Sequence, residues 1–407
     1  MKRTTFGLPE KIIFCKKCVE SNQRFLGSVQ HNATKDEIKN TGLFDEKGVC
    51  LSCRYFEEKE KTDWKLKEKE LVDILDKHRR NDGRYDVLVP GSGGKDSIYA
   101  SFTLKEKYNM HPLTCTWAPG MYTDIGLKNY NSWLDSGFDN YLFTPNKKVH
   151  RLLTKLAFKN LLHPFQPFVI GQNMLPSRLA IEKKINLVVY GDGLSERAVG
   201  DKLKIKRNKV TDLERNKYAA KDDKIFLAGE SIENLMRKYN LTKSNLKPFM
   251  PTNIEKIFDS NLEIISITDY INYNPQNNYY FAKEKTNFQA NPDGRSEGTY
   301  TKYSSLDDKL DGLHFYTWFI KTGRARATDD AGLEVRNNII MRDEAVALVK
   351  KYDGEFPKKY FKDCLDYMGI TQEEFFETIE KFRPPHIWKK VNGEWKLKKA
   401  VWHKDNT

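Results

Sequence analysis

What this chain of 407 residues lacks narrows its class before any motif is read. No run of eighteen or more apolar residues occurs, which excludes a membrane-spanning helix. The opening "MKRTTFGLPEKIIF" has no apolar stretch leading to small residues, as a secretory signal would, so a cytoplasmic protein is expected. Cysteine is scarce: there are six, four of them in two Cys-x-x-Cys pairs, which is not the framework of a disulfide-stapled secreted domain. Internal repeats, low-complexity tracts and a single long basic tail are also missing. The formal net charge is nevertheless +13, so an anionic partner is expected. With the lysines spread along the chain, that partner is not expected to be nucleic acid gripped by a dedicated arm, although a basic groove assembled in three dimensions stays open.

What is present divides into three expected units. Residues 1–60 hold the paired cysteines and few long apolar runs, the profile of a small metal-stapled module. Residues 61–275 alternate β-rich runs with helical stretches. Asp63 is placed to cap a helix over "DWKLKEKELVDILDK" (63–77), where Trp64, Leu66, Leu71, Ile74 and Leu75 fall near helical spacing. The β-rich runs are "YDVLVP" (85–90), "PLTCTW" (112–117), "NYLFT" (140–144) and "INLVVYG" (185–191). The gaps between them accommodate crossover helices, so the expected fold class is α/β: a doubly wound parallel sheet with ligands beyond the carboxyl ends of its strands. "LEIISITDYI" (262–271) either completes the sheet or starts a helix. Residues 276–407, the expected substrate or partner region, become mainly helical and end in "IWKKVNGEWKLKK" (387–399), where Asn392-Gly393 signals a hairpin.

The chemistry concentrates in "PGSGGKDS" (90–97), a glycine-rich turn between a strand and a helix. It is not a Walker A loop, because Val89 stands where the first glycine belongs and Asp96 follows the lysine. It is not a dinucleotide fingerprint either, because Asp96 takes the place of the third glycine. What remains is Ser92-Gly93-Gly94-Lys95-Asp96-Ser97. The glycines let main chain approach a ligand closely, and the amides of the following helix point at an anion. Ser92 and Ser97 add hydroxyl donors and Lys95 a cation. Bare phosphate would repel Asp96, so its natural partner is a Mg²⁺ bridging phosphate oxygens.

These six residues resemble the SGGxDS signature of the PP-loop ATP pyrophosphatase superfamily, matching it at every fixed position. The resemblance implies that ATP is split between its α and β phosphates and that the loop grips the departing pyrophosphate, with Lys95 and Asp96 catalytic. It also implies adenosine near the end of the second strand. Thr116 and Trp117 would then flank the adenine, or else Trp117 packs as a buried aromatic of the sheet. "YGDGLSE" (190–196) resembles the superfamily's second glycine-containing segment. There Gly191 would admit the nucleotide, and Asp192 or Glu196 would bind a second metal or lie on a solvated surface. With Asp96, Glu196 is the expected magnesium ligand.

Cys15-x-x-Cys18 and Cys50-x-x-Cys53 are two knuckles of the kind that hold tetrahedral Zn²⁺ through four thiolates. Such a closed site leaves no position for water, so a role in folding is expected. The segment between the knuckles exceeds usual ribbon spacing and should project as a loop. Cys115 and Cys364 stand alone and are expected to be buried small hydrophobes.

"LFDEKGVCLSC" (43–53) and "GRARATDDAGLEVRNNIIMRDEAVALVKKYDGEFP" (323–357) narrow the resemblance to the N-acetyl sugar amidotransferases. These are PP-loop enzymes of bacterial surface-polysaccharide and nonulosonic-acid pathways that convert a sugar acetamido group to an acetamidino group. The implied substrate is a nucleotide-linked N-acetyl sugar. The second block and its flank offer Lys321, Arg324, Asp329 and Asp330 as catalytic candidates, with Arg326, Glu334 and Arg336 beside them. Arginine forks suit phosphate or sugar carboxylate, while either aspartate would orient the amide, bind metal or cap a salt-bridged helix start. No glutaminase signature occurs: residue 2 is Lys, and no Gly-x-Cys-x-Gly elbow is present. The resemblance therefore implies a separate glutaminase partner supplying ammonia, often with a cyclase-like subunit. The hairpin around Trp388 and Trp395 is a candidate docking surface. The alternative class is a tRNA-modifying PP-loop enzyme, thiolating or ligating.

Overall fold

The computed structural model describes residues 4–24, 44–191, 220–221, 224–251 and 260–403. Its centre is a five-stranded parallel sheet built from β1 (Val87–Pro90), β2 (Pro112–Trp117), β3 (Asn140–Phe143), β4 (Leu187–Tyr190) and a later strand, Glu263–Ser266. Among the described residues, three short antiparallel strands intervene: β5 (Ala220–Lys221), β6 (Lys224–Leu227) and β7 (Glu230–Ser231). The later strand is therefore β8, and the sheet order is β3-β2-β1-β4-β8. The run at 262–271 thus completes the sheet, with Leu187 to Tyr190 in register with Glu263 to Ser266, before one turn of 3₁₀-helix at Ile267–Asp269.

Why the sheet is covered on both faces is visible in the alternation of its central strands. Leu88 and Val188 point to one side, where they meet helices Lys147–Leu161 and Gln166–Lys183 through Leu153, Ala157, Met174 and Leu179. Val87, Val89, Leu187 and Val189 point to the other, against Leu71 and Leu75 of helix Trp64–His78 and Ala100 of helix Lys95–Phe102. Strands buried on both faces read as continuous apolar runs, as these do. Asp63 caps the helix after it, its carboxylate accepting from the Lys65 and Leu66 amides at 3.0 and 3.2 Å. β2 and β3 lie to one side of β1, and β4 and β8 to the other, which places a topological switch point between β1 and β4.

Helix Pro275–Lys285, at the expected start of the C-terminal region, packs on helix Lys95–Phe102 through Tyr99 and Phe281, ring centroids 5.1 Å apart. Five further helices span Leu310–Thr322, Arg326–Arg336, Arg342–Tyr352, Phe361–Met368 and Gln372–Lys381. β9 (Trp388–Val391) and β10 (Glu394–Leu397) form the hairpin signalled by Asn392-Gly393, both turn residues having positive φ (52° and 82°). Trp388 is no docking residue: it is 5% exposed, belongs to the apolar cluster of the C-terminal helices and donates its Nε1–H to the Ile320 carbonyl at 2.8 Å. The Trp395 indole donates to Glu380 across the same surface. Among the described residues no helix is long and apolar enough to cross a membrane.

Candidate active site

The glycine loop leaves β1 at Pro90 and enters helix Lys95–Phe102 at Gly94. Gly93 has φ +79°, and a Cβ there would lie 2.6 Å from the Tyr130 Cα, so both conformation and space demand glycine. No side chain caps this helix, and its first-turn amides face the loop. Ser97 Oγ donates to the Gly94 carbonyl at 2.9 Å, tying the turn closed. Lys95, 6% exposed, places Nζ 2.6 Å from Asp96 Oδ2 and 5.2 Å from the centre of the Tyr303 ring. Asp96 Oδ1 accepts from Asn278 Nδ2 at 2.9 Å and the Tyr273 hydroxyl at 3.2 Å. Three donors therefore hold one carboxylate, one from its own turn and two from residues 273–278 far along the chain. An exposed loop is the natural expectation for such a turn; instead it lies under helix Pro275–Lys285 and the segment at 303–308.

Gly191, the residue after β4, meets the same turn. A Cβ on Gly191 would fall 2.2 Å from the Asp96 carbonyl oxygen, so the two glycine segments touch across the switch point. Asp192 and Glu196 lie outside the described residues. Thr116 and Trp117, at the end of β2, are both buried. Thr116 Oγ1 accepts from Asn140 Nδ2 at 3.1 Å, and Trp117 packs among Phe143 and Phe249, with centroids at 4.9 and 5.4 Å.

Sequence reasoning missed the acids nearest the loop. Ser92 Oγ donates to Asp307, and the neighbouring Asp308 accepts the Gly120 and Leu310 amides at 2.7 and 2.9 Å. Burial pushes Asp307 up to about 6, opposed by the Ser92 hydrogen bond and by the charges of Lys95 and Arg326. Burial likewise pushes Asp308 up to about 7. The paired acids in "SSLDDKLD" (304–311) were a visible signal, but nothing local ties them to a loop more than two hundred residues earlier.

The other four candidates make different contacts. Lys321, 3% exposed, donates Nζ to the Leu161 carbonyl at 2.7 Å. Arg324 pairs with Glu20 at 2.8 Å and with Asp329, and Arg24 joins the same group, 2.7 Å from Glu20 and 3.4 Å from Asp329. Asp330 receives Arg326 Nε at about 3.0 Å, with Thr299 and Ser304 hydroxyls at 2.9 and 3.2 Å. The contacts of Arg324 and Asp329 therefore fasten the C-terminal helices to the N-terminal module.

That module is a candidate metal centre. The Sγ atoms of Cys15, Cys18, Cys50 and Cys53 all lie within 4.8 Å of one another. Cys15–Cys53 and Cys18–Cys50 are 3.9 and 3.7 Å apart. A tetrahedron with metal–sulfur bonds of about 2.3 Å has an edge of about 3.8 Å, so the four sulfurs fit a single ion. The Lys17 and Cys50 amides point at Cys15 Sγ (3.4 and 3.3 Å) and the Glu20 amide at Cys18 Sγ (3.4 Å), the polarity that steadies thiolates. Arg336 lies 3.8 Å from Cys18 Sγ, and Arg342 donates to the Cys15 and Cys18 carbonyls. The stretch 25–43 between the knuckles lies outside the described residues. Cys115 and Cys364 are buried, and burial raises both thiols.

Residues 297–401 match the C-terminal domain of the WbpG-like LPS biosynthesis proteins. That span carries Tyr303, Asp307, Asp308 and all four C-terminal candidates. An uncharacterized protein of Methanocaldococcus jannaschii, MJ1599, is 33% identical over 92 residues, which are 23% of this chain and 31% of that protein. The chain thus matches under a third of that relative's length. A solved structure, the U34-tRNA thiolase NcsA from Methanococcus maripaludis with its [4Fe-4S] cluster, aligns over 84% of this chain and 97% of that one. Its identity is 13% and its TM-score 0.29, a likeness too low to bear on function.

Proposed function

We propose that the chain is an ATP-dependent, AMP-forming amidotransferase that converts the acetamido group of an N-acetyl sugar to an acetamidino group in surface-glycan synthesis. The observation that carries this reading is the Ser92–Asp307 hydrogen bond. It joins an SGGKDS loop to the segment that matches a lipopolysaccharide-biosynthesis domain, which supports a reading with nucleotide and glycan chemistry at one site.

An acetamide oxygen is a poor leaving group. In the proposed first step it attacks the α-phosphorus of ATP, the α–β phosphoanhydride bond breaks, and pyrophosphate departs. The first-turn amides of helix Lys95–Phe102, with Lys95, receive the charge of that leaving group. Ammonia then adds to the imidoyl carbon, the C–O bond to AMP breaks, and the amidine keeps the nitrogen. Asp96, oriented by Tyr273 and Asn278, would hold the Mg²⁺ that travels with ATP, which supplies charge neutralisation at the phosphates. The four cysteines would hold Zn²⁺, whose part is to fold the module. With no glutaminase signature in the sequence, ammonia is supplied by a separate glutaminase. The buried, raised thiol of Cys115 disfavours the tRNA-thiolating alternative, which needs a reactive thiolate near the nucleotide.

The test is pyrophosphate exchange into ATP and AMP release, measured with ammonium and either UDP-N-acetyl sugars or tRNA. Sugar-dependent AMP release supports the reading; tRNA-dependent release with inert sugars overturns it.

A further inference from the structure

We propose that the cavity beyond β2 and β3 is an anion pocket for the phosphate-bearing part of the acceptor sugar. The proposal rests on the reading of the chain as a sugar-modifying, ATP-using enzyme, and it assigns that substrate a place. The cavity holds about 420 Å³, within the range of roughly 300–1,000 Å³ usual for small-molecule sites. Gly120, Tyr122, Thr144, Lys147, Arg151 and Tyr367 line it, with two cations and no acid among its lining residues.

Its polar groups are placed for an anion. Helix Lys147–Leu161 begins at the cavity, bringing the positive end of its dipole there. Arg151 donates Nε to the Tyr367 carbonyl at 2.8 Å and Nη2 to the Asp366 carbonyl at 2.7 Å. Two carbonyl anchors hold its planar fork in one orientation, which reduces the entropy lost when it meets a phosphate. Lys147 is exposed at the rim. The Tyr122 hydroxyl is buried within reach of the Asp307 and Asp308 charges and has no hydrogen-bond partner among the described residues, which leaves its donor open to a ligand or water. Behind the wall, His150 Nδ1 pairs with the Tyr367 hydroxyl at 2.7 Å, while its buried Nε2 has no such partner. Burial lowers His150 to about 4, so the positive charge here comes from Lys147 and Arg151. A Cβ on Gly120 would lie 3.2 Å from the Tyr367 hydroxyl, and the missing side chain keeps the wall open.

The cavity is separate from the glycine loop yet fastened to it. Asp308 takes the Gly120 amide at the cavity wall, while Asp307 takes Ser92 of the loop. Consecutive residues thus bridge two places where phosphate can bind, as a reaction between two phosphorylated substrates requires. A neutral sugar or an adenine ring has no use for the paired cations. The remaining sources of a phosphate are the acceptor and ATP itself, and the experiment separates them.

The full-length protein is titrated calorimetrically with UDP, with uncharged N-acetylglucosamine and with α,β-methylene-ATP, comparing wild type, Lys147→Ala and Tyr122→Phe. Lys147 is exposed and the Tyr122 hydroxyl bonds to nothing described, so neither substitution removes a native hydrogen bond seen here. The expected result is that Lys147→Ala weakens UDP about tenfold, the usual scale of one charge-assisted contact, and Tyr122→Phe about threefold. α,β-Methylene-ATP should change less than twofold. The proposal is overturned if UDP affinity is the same in both variants as in wild type. It is equally overturned if the ATP analogue weakens in parallel, which makes the cavity part of the ATP site, or if wild type binds the analogue but not UDP. Failure of wild type to bind the analogue overturns the ATP-using reading beneath it, and the proposal with it.

Discussion

Replacing Asp308 with Asn should favour the folded protein more at pH 8 than at pH 5. The carboxyl is buried, and its pKa rises from an ordinary 3.8 to about 7. A raised folded pKa means that stability is fully present below about 3.8 and is lost as pH climbs through about 7. At about 1.4 kcal/mol per unit, the charged form costs about 4 kcal/mol at pH 8, against about 1.7 kcal/mol at pH 5. Asn removes that cost but keeps only one oxygen for the two amides of Gly120 and Leu310. One buried N–H then faces an amide NH₂, a loss of about 1–3 kcal/mol at either pH. Asp308→Asn should therefore gain about 1–3 kcal/mol over wild type at pH 8, and about 2–3 kcal/mol less than that at pH 5. Urea denaturation of both proteins at the two pH values measures this, and the difference between the two ΔΔG values should be about 2–3 kcal/mol. That difference is free of the unknown cost of the lost hydrogen bond. A ΔΔG that does not move between pH 5 and pH 8 would refute the assignment of Asp308 as a buried, raised carboxyl.

Asp96→Ala should reduce AMP formation by at least about a thousandfold, the scale of losing a charge-stabilising group, and should also lower the melting temperature because Tyr273 and Asn278 lose their acceptor; near-normal turnover would remove the loop from the chemistry. Elemental analysis should find one zinc per chain, and Cys50→Ser should give unstable or insoluble protein; a metal-free chain with an intact fold contradicts the knuckle assignment. The purified protein should use ammonium, better at high pH where more NH₃ is present, and should use glutamine only with an added glutaminase. Efficient glutamine use by the chain alone would disprove the need for a partner.

The parts of this fold legible in the sequence are those written in local chemistry. "LVVY" and "VLVP" are apolar on both faces because both faces are covered, and Asn392-Gly393 reads as a turn because two left-handed residues in succession suit few other sequences. Asp63 is legible for the same reason, since a cap acts within three residues. The site was legible only where it is continuous. Ser92 to Ser97 could be read, but Asp307 reaches Ser92, and Asn278 reaches Asp96, across long separations that no periodicity encodes. Trp388 and the loop's burial escaped for a related reason: an indole or a lysine in a basic stretch carries no local mark of whether a later helix will cover it.

The fastening of the cysteine module to the far end of the chain bears on how the protein comes into being. Cys18, Glu20 and Arg24 are made about three hundred residues before Arg336, Arg324 and Asp329. Phe6 stacks on Phe382 at 5.4 Å, and Gln23 meets His386, so these residues too wait for partners made much later. A nascent chain therefore carries its knuckles unclad while the sheet is translated, and the ring is closed by the carboxyl-terminal helices. Nucleation at the sheet and closure at the ends is the order this imposes, because contacts so distant along the chain are the slowest to form. Losing either segment would leave Glu20 with Arg24 alone or Arg324 with Asp329 alone, each pair missing its other partners, so the two segments support one another although they are made far apart in time.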